Sequence, residues 1–202
     1  MVNAPTIGVL ALQGDVREHL AALAACGADG VPVRRPNELA DLAGIILPGG
    51  ESTTIDKLSR IFELRDPLVS ALQAGLPAFG SCAGMILLAD RVLDGTADQQ
   101  TFGGLDITVR RNAFGRQVES FEADVELAGL SGGPVHAVFI RAPWVEQANG
   151  QVQVLAEVEL PGTAESRVIA VRQGNLMATS FHPEMTDDLR IHRYFLALVR
   201  AA

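Results

Sequence analysis

The sequence is poor in the features that would place it in several common classes. Only 2 of its 202 residues are cysteine, and only 5% are aromatic. Two thiols cannot build a disulfide scaffold, and a chain of this length can bury roughly 70% of the surface its unfolded form exposes without one. Positive charge is scarce: 16 basic side chains face 24 acidic ones, a net charge of −8. That balance excludes a basic nucleic-acid-binding domain. Lysine is nearly absent, with Lys57 standing alone among arginines. Long apolar runs are missing too. The first six residues carry no positive charge, and the apolar run after them, Ile7–Leu12, is too short for a signal-peptide core or a membrane span. The chain is therefore expected to be cytoplasmic, without membrane contact and with its thiols reduced.

What is present is α/β patterning. Thr6–Leu12 is nearly continuous apolar sequence, as in a strand buried on both faces of a parallel sheet. Val16, Leu20 and Leu23 follow at helical spacing, and Gly27 is a stop signal. Val31–Arg34, Gly44–Leu47 and Pro77–Gly80 read as further short strands. Helices are expected after Pro48-Gly49-Gly50 with Ser52 as cap, over Asp66–Ala74, and from Ala83 to about Ala89. From about Ile107 the texture becomes strand-rich, with strands at Val118–Leu127, Val135–Ile140, Val152–Glu159, Val168–Gln173 and Leu176–Phe181. A closing helix carries Ile191, Phe195 and Leu198, with Thr186, Asp187 and Asp188 at its start. No repeat, linker or low-complexity tract interrupts residues 1–202. The expected fold is one three-layer α/β domain, with a mostly parallel central sheet, added antiparallel strands and helices on both faces.

The strongest chemical signal is Gly80-Ser81-Cys82-Ala83-Gly84 between a short strand and a helix. This is the cysteine form of a nucleophile elbow: a sharp turn lifts the nucleophile above the sheet edge, and the flanking glycines allow close packing. A helix start behind Cys82 favours its thiolate, and the Ala83 N–H points where an oxyanion would form. The plainer alternative is a structural cysteine at a Gly-rich turn. A thiol nucleophile needs a base, and His182 is placed for it in Phe181-His182-Pro183-Glu184. Pro183 holds His182 extended, so that Glu184 lies on the same side and can fix the imidazole. Taken by itself, His-Pro-Glu is also compatible with a strand-end histidine and a surface glutamate. His19 and His192 are expected on solvated helix faces, His136 on a strand without a carboxylate neighbour, and Cys26 in the core. The loop Pro48-Gly49-Gly50-Glu51-Ser52 should face the elbow, because loops at the carboxyl ends of parallel strands share one crevice. Gly49 and Gly50 could then supply the second oxyanion donor. No Cys/His spacing suggests zinc, and no Gly-rich loop carries a P-loop lysine.

Together, the elbow and His182-Pro183-Glu184 resemble the triad of class I glutamine amidotransferases. Four more stretches resemble one branch of that superfamily, the glutaminase subunit of pyridoxal 5′-phosphate synthase. They are Gly8–His19, Leu47–Thr54, Arg111–Gln117 and Phe139–Pro143, so the likeness spans nearly the whole chain. Ser81 stands where that family usually has Thr, the loss of one methyl.

The resemblance implies hydrolysis of L-glutamine through Cys82, His182 and Glu184, with Ala83, Gly49 and Gly50 around the oxyanion. It implies a substrate pocket formed by Gly50, Glu51, Ser52, Arg111, Ile140 and Arg141. Arg111 and Arg116 could equally be exposed loop arginines if the motif is set aside. It further implies a synthase subunit that receives the ammonia, and neither metal nor organic cofactor. Two other functions remain open: a glutaminase serving another amidotransferase pathway, such as histidine biosynthesis, and a silent binding subunit of the same fold.

Overall fold

The computed structural model describes residues 4–113, 120–159 and 165–202. The first apolar run forms β1 (Thr6–Leu10), followed by α1 (Val16–Ala25) and β2 (Asp29–Val33). The alternation continues through β3 (Gly44–Leu47), α2 (Ser52–Ile61), α3 (Arg65–Gln73), β4 (Ala78–Ser81) and α4 (Ala83–Leu88). Next come β5 (Ala89–Leu93), β6 (Leu105–Arg110), β7 (Ser120–Val125), β8 (Val135–Ile140), β9 (Trp144–Ala148), β10 (Gln153–Glu159), β11 (Ser166–Gln173) and β12 (Leu176–Thr179). The last helix is α5 (Arg190–Ala201).

Ten strands share one sheet in the order β2-β1-β3-β4-β12-β11-β9-β6-β5, with β10 paired to β11. From β2 to β12 every pairing is parallel. Beyond β12 the neighbours β11, β9 and β6 run antiparallel in turn, and β5 pairs parallel with β6. β7 and β8 form a separate antiparallel ribbon. The sheet is thus mostly parallel with added antiparallel strands, as the patterning predicts.

Alternation along each strand divides the core between two faces. Ile45 and Leu47 of β3 pack with Ile55, Leu68 and Leu87 from α2, α3 and α4. Ile46, between them, faces the other way and packs with Leu23 of α1, Phe79 of β4 and Phe195 of α5. Helices therefore cover both faces, and the parallel half has a buried layer on each.

Several boundaries differ from the sequence reading. β5 and β9 were not anticipated, and β6 begins at Leu105, ahead of the expected change of texture. Each is short or carries polar residues mid-strand, Asp90-Arg91 in β5 and Glu146-Gln147 in β9, which hides the apolar pattern. Ser52 opens α2 but does not cap it; the cap is Glu51, whose carboxylate accepts from the Thr53 N–H at 3.5 Å and hydroxyl at 2.8 Å. Of the three residues expected at the start of α5, Asp188 accepts the Arg190 N–H at 3.0 Å. Val118, at the start of the expected strand, lies outside the described residues. Among the described residues, no helix is long and apolar enough to cross a membrane.

Candidate active site

Four loops at the carboxyl ends of β1, β3, β4 and β12 meet over one crevice, as an open parallel sheet requires. They bring Gln13 and Asp15, Gly50 to Ser52, Cys82 and Ala83, and His182 to one cavity of about 240 Å³. The other wall comes from Arg111 and Asn112 after β6 and from Ile140 and Arg141 at the end of β8. That volume lies below the roughly 300–1,000 Å³ of pockets that take drug-sized ligands, which suits a single amino acid.

Cys82 sits at the turn from β4 into α4 with φ +47° and ψ −100°. A non-glycine residue at positive φ is strained, and such strain concentrates at functional sites. Packing holds the conformation in place. The Cys82 N–H donates to Thr179 O at 2.8 Å, and Gly80 and Gly84 pack so closely that a Cβ on Gly80 would lie 2.5 Å from the Gly84 carbonyl. A Cβ on Gly84 would strike the Leu47 carbonyl oxygen. Cys82 is 7% exposed, and its Sγ lies 3.9 Å from Ile140 O. Ala83, first in its helix, has one of the orphan amides of a helix start.

Behind the thiol, His182 Nδ1 lies 2.8 Å from Glu184 Oε1, and both side chains are almost fully buried. Asp15 Oδ2 approaches the same nitrogen at 3.3 Å. Burial alone would lower the imidazole pKa. Hydrogen bonds to Asp15, Cys82 and Glu184, with the charge of Cys82, outweigh it and push the pKa up to about 12. Burial pushes the Glu184 pKa upward, against the pull of His182. Asp15, His182 and Glu184 place ligand atoms within 4.8 Å of one another. A cation there would have to displace the bond that His182 makes to Glu184.

Among the residues expected around substrate, Glu51 and Arg111 are joined: Arg111 Nη2 donates to Glu51 Oε1 at 2.7 Å and Nη1 to Gln99 Oε1 at 2.8 Å. Gln99 in turn donates to Ser52 Oγ at 3.0 Å. The Arg111 guanidinium is thus an inward-facing group, only 10% exposed, with its Nε unpaired. Asn112 and Arg141, at φ +45° and +43°, are strained residues on the same wall. Arg116 lies outside the described residues, as do Phe114, Gly115 and Gln117.

One expected residue is placed differently. The Gly49 N–H does not face the pocket; it donates to Ser81 Oγ at 3.0 Å. Its Cα instead backs onto His182, where any Cβ would meet the ring. Gly50, next along, lines the cavity. Gln13 and Asp15 belong to the Gly8–His19 stretch, and no local motif marks either as a pocket residue. Their position directly after β1, at the same sheet edge as the elbow, was the signal that identifies them. Gln13 Oε1 accepts the Glu51 N–H at 2.7 Å and so ties two pocket loops together.

The remaining histidines correct the sequence reading. His19 and His192 are not solvated but fully buried, with His19 Nδ1 3.0 Å from His192 Nε2. Of their charged neighbours, Arg17 and Arg193 are exposed and Glu18 and Arg190 partly so, whereas the imidazoles lie on the buried side of each helix. His136 does have carboxylate neighbours, Asp124 at 3.0 Å and Glu122 at 2.9 Å, supplied across the ribbon by β7. Cys26 is half-buried against the α1/α5 core.

The model of the SNO glutamine amidotransferase family matches residues 9–201. The chain belongs to this family. It is 66% identical over 198 residues to the pyridoxal 5′-phosphate synthase subunit PdxT of Nocardia farcinica, covering 98% of this chain and 87% of that one. It is 62% identical over 201 residues to the PdxT subunit of Salinispora tropica, end to end in both. A crystal structure of a glutamine amidotransferase superposes with a TM-score of 0.87 at 48% identity, over 96% of this chain and 98% of that one. PurLQS of Thermotoga maritima, at 17% identity and a TM-score of 0.66, shares the fold, over 97% of this chain and 99% of that one.

Proposed function

We propose that residues 1–202 form a single glutaminase domain, the ammonia-producing subunit of a pyridoxal 5′-phosphate synthase. It hydrolyses L-glutamine to L-glutamate and ammonia and passes the ammonia to a separate synthase subunit in a hetero-oligomer. The observation that carries this reading is the strained Cys82 beside a buried His182–Glu184 pair, at the floor of a cavity sized for an amino acid. Relatives at over 60% identity, named as subunits of that synthase, support the pathway over another amidotransferase route. An intact thiol, imidazole and carboxylate speak against a silent subunit.

The chemistry follows from the groups in place. His182, with Nδ1 facing Glu184 and Asp15, keeps Nε2 for Cys82, and the reaction runs from the imidazolium–thiolate form of the pair. The thiolate attacks the side-chain carbonyl carbon of glutamine, forming a C–S bond and an oxyanion. Ala83 N–H and the Gly50 peptide are the donors for that charge; Gly49 is excluded because its N–H is engaged by Ser81. His182 gives its Nε2 proton to the amide nitrogen, the C–N bond breaks and ammonia leaves. Neutral His182 then takes a proton from water as the oxygen attacks the γ-glutamyl thioester. The C–S bond breaks and the imidazolium–thiolate pair is restored. Splitting the amide cleavage in two lowers each barrier.

Gly50, Glu51, Ser52, Arg111, Ile140 and Arg141 bind the amino-acid end of glutamine, with Arg141 and the Glu51–Arg111 pair as the charged groups that its carboxylate and ammonium meet. Thiol, imidazole and carboxylate supply the chemistry without metal or organic cofactor. The protein is assigned to the cytoplasm, where glutamine and reduced thiols are both available. Glutamine hydrolysis measured with and without the synthase subunit tests the reading. Activity that appears or rises with the synthase supports it, and no glutamine turnover in either sample overturns it.

A further inference from the structure

Behind Glu184 lies a buried polar chain that the reaction described above does not use. His192 of α5 contacts His19 of α1 at 3.0 Å, and His19 Nε2 lies 3.0 Å from Ser81 Oγ and 3.4 Å from Glu184 Oε2. Ser81 Oγ also accepts the Gly49 N–H at 3.0 Å and reaches Glu184 Oε1 at 3.5 Å. His19, Ser81 and His192 are fully buried, and Phe79 packs edge-on to both rings with centroids 6.0 Å away. Three elements that are distant in sequence thus converge on the carboxylate that faces His182.

The hydrogen positions follow from which groups lack partners. His192 Nδ1 is buried with no partner. A buried N–H without an acceptor is rarer than a bare ring nitrogen without a donor, so the His192 proton sits on Nε2 and is donated to His19 Nδ1. His19 must then carry its proton on Nε2, aimed at Ser81 and Glu184. The opposite arrangement would leave a stranded N–H on His192 and turn a lone pair of His19 toward a carboxylate. Ser81 Oγ accepts from Gly49 and His19, so its own proton points to Glu184 Oε1. Burial keeps both rings neutral, since it lowers the His19 and His192 pKa values.

We propose that His19 is a positioning residue for the triad: through Ser81 it holds the Glu184 carboxylate toward His182, while His192 fixes the ring nitrogen through which it does so. The proposal rests on the glutaminase reading for its kinetic test. A carboxylate in an apolar interior favours protonation unless N–H and O–H groups face it. The titratable groups facing Glu184 and His182 are Asp15 from the loop after β1, His19 on α1 and Cys82 after β4, with His192 of α5 behind His19. Among these, His19 is the neutral group nearest the carboxylate oxygen that His182 leaves unbonded: Glu184 Oε2 is buried without a hydrogen bond, 3.4 Å from His19 Nε2, whose own bond goes to Ser81 Oγ at 3.0 Å. Ser81 also joins the carboxylate to the Gly49 peptide, so the orientation of the triad and the conformation of the loop preceding Gly50 are set by one hydroxyl.

The test compares His19→Leu, His19→Gln and Ser81→Ala with the parent, each assembled with the synthase subunit. Outer hydrogen-bond partners of reactive groups commonly contribute about 10–100-fold. His19→Leu is expected to lower kcat by about that factor, leave KM within about twofold, and move the acid limb of the kcat profile to higher pH. Ser81→Ala moves the limb in the same direction, and His19→Gln, which keeps an N–H near the Nε2 position, restores most of both effects. A His19→Leu enzyme with kcat within about threefold of the parent and an unmoved limb overturns the proposal. So does a His19→Gln enzyme as impaired as His19→Leu, which would mark a packing role only. If His19→Leu does not fold, Ser81→Ala decides by the same criterion. If the parent hydrolyses no glutamine, the glutaminase reading fails on its own, and the pH dependence of Cys82 alkylation by iodoacetamide decides the network: an upward shift in either variant supports it, and coincident profiles overturn it.

Discussion

Asp15 Oδ2 stands 3.3 Å from His182 Nδ1, the nitrogen that Glu184 Oε1 already approaches at 2.8 Å. The imidazole therefore has two acidic neighbours, one buried and one at the pocket rim. The rim carboxylate adds to the hydrogen bonds that keep His182 protonated, and a protonated His182 places a positive charge beside Cys82. Asp15→Asn removes the rim carboxylate while Glu184 remains. The expected result is a pH midpoint for Cys82 alkylation that moves upward by less than one unit, and glutaminase kcat lowered about two- to tenfold. The pH dependence of iodoacetamide labelling, followed by mass spectrometry, measures it.

The elbow tolerates no side chain at Gly84, because a Cβ there would strike the carbonyl oxygen of Leu47 in the adjacent strand β3. Backbone cannot yield as a flexible side chain can. Gly84→Ala should destabilise the protein by about 1–3 kcal/mol or more, the range for overpacked cores, and reduce activity together with stability. Urea unfolding at fixed pH checks the first and glutamine turnover the second.

The two buried histidines make stability sensitive to acid. Burial lowers the His192 pKa to about 4, against 6.5 unperturbed. The unfolded chain therefore binds a proton before the folded one does, and stability present above pH 6.5 is lost as the pH falls from there toward 4. One pKa unit corresponds to about 1.4 kcal/mol, so His192 accounts for about 3 kcal/mol of the decline, and His19 loses stability in the same direction. Replacing His192 with Leu should flatten the stability curve between pH 6.5 and 4 by about that amount. Chemical denaturation of both proteins across that interval measures it.

The sequence revealed the parallel half of the sheet because strands buried on both faces, such as β3 with Ile45, Ile46 and Leu47, read as unbroken apolar runs. It revealed the elbow because only glycine suits Gly80 and Gly84 where two backbones nearly touch. His182 and Glu184 were legible together because Pro183 between them sets the backbone. The antiparallel additions were less visible: in β9 Glu146 and Gln147 are exposed although the strand lies inside the sheet, and nothing in its own residues names β6 and β11 as neighbours. His19 and His192 were misplaced for a related reason. Imidazole is polar enough to pass for a surface group, and the hydrogen bond joining residues 173 positions apart exists only once α1 and α5 pack on the same face. Gly49 could not be placed because local sequence fixes the turn, whereas the acceptor of its N–H is a hydroxyl from another strand.

In this mechanism Cys82 forms a γ-glutamyl thioester during glutamine hydrolysis. Rapid acid quenching of the assembled enzyme with glutamine, followed by peptide mass spectrometry, should find one γ-glutamyl group on the peptide containing Cys82, with Cys26 unmodified and no adduct in the Cys82→Ser protein. Steady glutamine turnover with no adduct on Cys82, or turnover that persists in Cys82→Ser, would contradict the account.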